Sequence, residues 1–155
     1  RVAIEVEKCG SRVGGGASWP KTSAALRVCA SASCGDTAAN TQIALATPRI
    51  QKPGEIGIFR ALAKHGADAI LVRNLAGLRF FGEQGLPVVA DFSLNTANEL
   101  TANWLKEQGA TRIAPSYDLN REQLLELVAA VPPAWLECVI HQHMPMFHME
   151  HCVFC

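Results

Sequence analysis

No stretch of about 18 consecutive apolar residues, the least that crosses a bilayer as a helix, occurs in the chain, so no segment reads as a membrane-spanning helix. An excess of one charge is also missing. Lys and Arg total 14, Asp and Glu total 14. Electrostatics at the scale of the whole molecule therefore give no coat for nucleic acid, although a local basic groove stays open. Residues 1–10 carry scattered charges and no apolar core, so no secretion leader is read there. Without one, the six cysteines read as thiols or metal ligands rather than a disulfide framework. The expected compartment is the cytoplasm. Two catalytic signatures are absent as well. No strand is followed by Gly-x-Gly-x-x-Gly, and no His-Glu-x-x-His occurs.

What is present divides into two regions. Residues 1–42 are rich in Gly, Ser, Ala and Thr around Gly14-Gly15-Gly16. Val2 to Val6 alternates apolar and polar residues, as a half-buried strand does, and residues 26–29 form a second short apolar run. Cys29 and Cys34 sit in a small-residue loop and read as packing.

From residue 43 the pattern is regular. Short apolar runs at 43–46, 69–72, 87–90, 112–114 and 136–140 predict strands. Between them, helices are expected over 53–65 (stopped by Gly66), 75–81, 96–108 (capped by Asn95, stopped by Gly109) and from Asn120 to about Ala130. Gln123 is placed to complete a capping box with Asn120. Continuous apolar strands alternating with helices mean right-handed βαβ units and a parallel sheet. Two architectures remain, a doubly wound sheet and a (β/α)8 barrel. The missing glycine fingerprint weakens the first. The expectation is an α/β chain whose residues 43–155 form a partial (β/α)8 TIM-like barrel of about five βα units. The chain begins without Met and ends on a cysteine, which reads as a fragment. The remainder of the barrel, or a partner chain, would then complete the site.

In a parallel barrel, function gathers at the C-terminal ends of the strands. The residues there are polar: Arg49; Arg73 and Asn74; Asp91, Ser93 and Asn95; Ser116, Tyr117, Asp118 and Asn120; and finally His141 and His143. Two of these ends read alike, Asp91-Phe92-Ser93-Leu94-Asn95 and Ser116-Tyr117-Asp118-Leu119-Asn120. Asn95 and Asn120 read as helix caps. Asp91, Tyr117, Asp118 and His141 are the candidates for the catalytic mouth. Arg49, Arg73 and Asn74 are candidates for substrate binding, since a guanidinium fork suits phosphate or carboxylate; either arginine serves equally well as a rim ion-pair partner.

The terminal segment concentrates metal-ligand chemistry. Four of the five histidines fall between His141 and His151, beside Cys152 and Cys155. Imidazole and thiolate are the usual ligands of zinc, iron and iron–sulfur centres. Cys152 and Cys155, with His143, are the candidate metal ligands. A Cys-x-x-Cys pair supplies half of a closed four-ligand site, and redox dithiol chemistry is the competing reading.

At this segment the chain resembles the collagenase-like peptidase family U32. That family's signature runs from an apolar strand through His-Gly and a cysteine to a turn like Ser-Gly-Arg-Cys. Here residues 137–140 resemble the strand, His141 falls on the signature histidine and Cys152 on the cysteine that closes the turn. Segments 91–98 and 116–119 are similar to the family's strand-end motifs. The resemblance spans residues 43–155. Gln142 stands where many members have Gly, Pro145 where many have a cysteine, and His151 where an Arg is usual, so Cys155 is the natural substitute ligand. The resemblance implies a peptidase by the family's name. It also implies, from other members, a 4Fe–4S enzyme in oxygen-independent hydroxylation of RNA bases or a quinone precursor. The substrate would be a small molecule, an RNA or a peptide. Two alternatives stand beside this: a hydrolase with zinc on His141 and His143, and an inactive piece with structural cysteines.

Overall fold

The computed structural model describes residues 2–5 and 43–141. Five strands form one all-parallel sheet: β1 (Val2–Glu5), β2 (Ile43–Ala46), β3 (Ala69–Val72), β4 (Val88–Ala90) and β5 (Ala110–Ile113), with spatial order equal to chain order. Among the described residues four helices connect or follow them: α1 (Ile56–Lys64), α2 (Leu75–Gly82), α3 (Glu99–Glu107) and α4 (Arg121–Ala130). Single 3-10 turns occupy Phe92–Leu94 and Pro133–Trp135. Among the described residues, no helix is long and apolar enough to cross a membrane.

Neighbouring strands taken in chain order and joined by right-handed crossovers put the connecting helices on one side of the sheet. The strand registers agree. Leu45, Ile70 and Val88 lie in one row, and Val72, Ala90 and Ile113 in another. All six are buried, against Phe59 and Leu62 of α1, Leu78 and Phe81 of α2, Ala102 and Leu105 of α3, and Leu127 of α4. Phe59, Phe80 and Phe81 pack as a trio of rings with centroids 5.0–5.6 Å apart, the spacing that tilted aromatic pairs favour. The opposite face holds the row Ala46, Leu71, Val89 and Arg112. Its last three members are only half-buried. Between β4 and β5 the register slips at a bulge. Thr111 is left out of step there, and its Oγ1 donates to the Val88 carbonyl at 2.6 Å.

Local chemistry explains most boundaries. The Asn120 side chain accepts from Gln123 N at 2.9 Å and Gln123 Oε1 accepts from Asn120 N at 3.0 Å, the full capping box. Gly109 adopts φ +97° just past α3, a left-handed conformation costly for any residue with a Cβ.

Three expectations are corrected. Asn95 does not cap α3. It takes the left-handed conformation (φ 53°, ψ 48°) that closes the 3-10 turn, and Asn98 caps the helix instead, accepting from Thr101 N at 2.9 Å. The reason is long-range: Thr96 bridges Pro115 in parallel, which holds the chain extended until Asn98. The first helix starts at Ile56, because 53–55 form a turn with Gly54 at φ +83°. A strand over 136–140 does not form. Leu136 makes one isolated parallel bridge to Ile113, Glu137 N donates to the Ile113 carbonyl at 2.9 Å, and residues 138–140 are exposed. Pro132 and Pro133 carry no backbone N–H, and the 3-10 turn of Pro133–Trp135 runs up to Leu136, so the chain reaches β5 only at Leu136 and Glu137 before it becomes exposed. The expected short strand at 26–29 lies outside the described residues.

Candidate functional site

Parallel strands deliver all their C-terminal ends to one edge of the sheet. Residues 47–49, 73–74, 91–93 and 114–118 therefore follow β2, β3, β4 and β5 along a common rim. Two layers are built there.

The lower layer is a buried polar belt. Thr47 is fully buried, and its Oγ1 accepts from Arg73 N at 2.9 Å, tying β2 to β3. Arg73 Nε lies 3.7 Å from Asp91 Oδ2, and the two side chains are only 8% and 7% exposed. The same Asp91 oxygen accepts from Ser93 Oγ at 2.8 Å and from Ser93 N at 3.4 Å. Ser93 Oγ is also 3.1 Å from the Arg73 carbonyl. The belt so links the ends of three strands, β2 to β3 through the Thr47 hydroxyl and β3 to β4 through a buried charge pair. A buried pair of this kind is costly to break, because both charges have left water and rely on the polar groups around them.

Above it sits a stack of cation and rings. Phe92 is buried, and the Arg49 guanidinium carbon stands 5.2 Å from its ring centroid, within cation–π range. Tyr117, arriving from the β5 loop, meets Phe92 edge-to-face with centroids 4.7 Å apart and planes at 61°. Tyr117 as a residue is 40% exposed, so the outermost member of the stack opens to solvent.

The expected site residues take different places in this arrangement. Arg49 and Tyr117 belong to the stack, and Asp91 and Arg73 to the belt. Asn74 caps α2, its Oδ1 accepting from Gly77 N at 2.7 Å, while its Nδ2 donates to the Pro48 carbonyl at 2.8 Å and the Arg49 carbonyl at 3.4 Å. Through those bonds Asn74 holds the loop that carries Arg49. Asp118 is exposed, and its backbone N–H donates to Ser116 Oγ at 3.3 Å. His141 is exposed at the end of the described residues. It follows Leu136 by as many residues as Asp118 follows Ile113, and Leu136 and Ile113 pair in parallel. His143, Cys152 and Cys155 lie outside the described residues. Among those described, no three His, Cys, Asp or Glu side chains converge as a metal site, and Cys138 is an exposed free thiol.

Phe92 and Thr47 escaped the sequence reading. An apolar ring after a strand reads as core, and a threonine at a strand end reads as a loop residue. The repeated aromatic at the two similar strand ends, Phe92 and Tyr117, was the available signal.

Residues 44–155 match the model of Peptidase family U32.

Proposed function

The chain belongs to peptidase family U32, and from that premise we propose that it is an enzyme domain that modifies a planar aromatic ring, an RNA base or a quinone precursor. The ring would be held at the strand-end mouth of a partial (β/α)8 barrel. The observation that carries the reading is the stack Arg49–Phe92–Tyr117, which ends in a half-exposed ring on the rim. A flat substrate stacks on such a ring face, and the outward N–H donors of a guanidinium suit an anionic substituent. An extended peptide would draw its affinity from main-chain hydrogen bonds along a free strand edge, which is a different kind of surface.

The barrel reading rests on three features: sequential strand order without the reversal of a doubly wound sheet, helices gathered on one face, and a half-buried second face. In this reading Arg49 and Tyr117 bind the ring, Asp118 and His141 bring titratable groups to the mouth, and Asp91 sits beneath in the belt. An iron–sulfur cluster fits the donor chemistry of the terminal segment, where Cys152 and Cys155 at Cys-x-x-Cys spacing would supply two thiolates. Such a cluster, when bound, supplies the electron transfer that an oxygen-independent hydroxylation requires. His143 is a candidate further ligand.

Two measurements test the proposal. The full chain purified without oxygen should contain iron and acid-labile sulfide, both lost in Cys152→Ala. It should also bind uridine monophosphate or 4-hydroxybenzoate, with affinity lost in Tyr117→Ala. An iron-free protein with no affinity for either ring overturns the reading. Peptide cleavage that persists without Cys152 and Cys155 but vanishes in His141→Ala replaces it with a hydrolase using His141 and His143.

A further inference from the structure

We infer that Ser93 is a positioning residue for the ring seat, acting through Asp91 and Phe92; the inference rests on the ring-binding reading above. Phe92 lies between two residues whose side chains are tied to each other. Ser93 Oγ reaches back to Asp91 Oδ2 at 2.8 Å, and Nε of Arg73, the residue just past β3, stands 3.7 Å from that oxygen. The backbone completes the clamp. Leu94 N donates to the Asp91 carbonyl at 3.0 Å and Asn95 N to the Phe92 carbonyl at 2.9 Å. Asn95 then turns the chain away at a positive φ of 53°.

Phe92 is thus fixed from below and from both chain directions; the Tyr117 backbone is held by its own loop, with Ser116 N donating to the Thr96 carbonyl at 2.9 Å and Asp118 N to Ser116 Oγ at 3.3 Å, so what Phe92 sets is the Tyr117 ring. Tyr117 is 40% exposed, and its ring contact among the described residues is Phe92. The order of dependence follows: the belt sets the 3-10 turn, the turn sets the Phe92 ring, and that ring sets the angle at which Tyr117 faces the mouth. Ser93 is the least expendable link whose loss leaves no buried charge unpaired, because Asp91 and Arg73 keep each other.

The chain has a single tyrosine, so protein labelled with 3-fluorotyrosine gives one fluorine NMR resonance, that of Tyr117. Its position is sensitive to the ring current of Phe92. In Ser93→Ala the ligand-free resonance should move by more than its linewidth, and affinity for the ring probe that the parent binds should fall about tenfold, the equivalent of one hydrogen bond to a charged group. Ser93→Thr, which keeps the hydroxyl, should restore both. If Ser93→Ala does not fold, Ser93→Cys keeps the side-chain size with a much weaker donor and should give the same shift. An unmoved resonance in folded Ser93→Ala or Ser93→Cys overturns the inference. So does a parent-like affinity. If the parent itself binds neither uridine monophosphate nor 4-hydroxybenzoate, the ring-binding reading fails, while the ligand-free resonance still decides whether Ser93 positions Tyr117.

Discussion

Asp91 and Arg73 show how strongly the consequence of a charge depends on where it lies. Both are nearly buried and face each other at 3.7 Å. Asp91→Ala removes a buried carboxylate together with the bonds it accepts from Ser93 and its pairing with Arg73, and should lower stability by about 2 kcal/mol or more. The Arg79–Glu83 pair on α2 is closer, at 3.1 Å, yet its side chains are 84% and 67% exposed. Glu83→Ala should change stability by no more than about 0.5 kcal/mol. Urea titrations of the two variants, read by the same probe, should differ several-fold in the loss of stability, and equal losses would refute the assignment of Asp91 to a buried pair. In the apolar layer, Phe59 is fully buried and touches both neighbouring rings. Phe59→Ala should cost about 3–5 kcal/mol, visible as a large drop in melting temperature.

Helix starts carry a second set of consequences. Asn120 satisfies one orphan backbone donor of α4 in a capping box on an exposed surface. Asn120→Ala should therefore cost about 1 kcal/mol. Asn74 caps α2 in the same way but also donates to the Pro48 and Arg49 carbonyls. Asn74→Ala should cost more than Asn120→Ala, and it should weaken ring binding as well, because the loop bearing Arg49 loses its anchor. Paired thermal melts and binding isotherms separate the two effects. A variant that melts early but binds normally would show that Asn74 is a cap alone.

Across the whole molecule, protection should fall from the middle of the sheet toward β5. The amides of Ile70 and Asp91 bond to the Pro87 and Val72 carbonyls inside the sheet. They should exchange with solvent only when the domain unfolds. Glu137 N bonds to Ile113 next to an exposed segment and should exchange by local opening, orders of magnitude faster. Similar rates at all three would mean that the sheet opens as one unit. The same gradient marks what was legible beforehand. The sequence alone determined the alternation of strands and helices, the parallel sense of the sheet, the capping box at Asn120 and the polar character of the strand ends. Each depends on residues within a few positions of one another, where hydrophobic period, side-chain caps and glycine φ preferences act. Only the tertiary structure decided that Asn98 rather than Asn95 starts α3, that Arg73 turns to Asp91, and that Phe92 joins Arg49 and Tyr117 in one stack. Those outcomes come from strand register and inter-strand contacts, which bring together residues a whole βα unit apart. No local pattern encodes the distance between them.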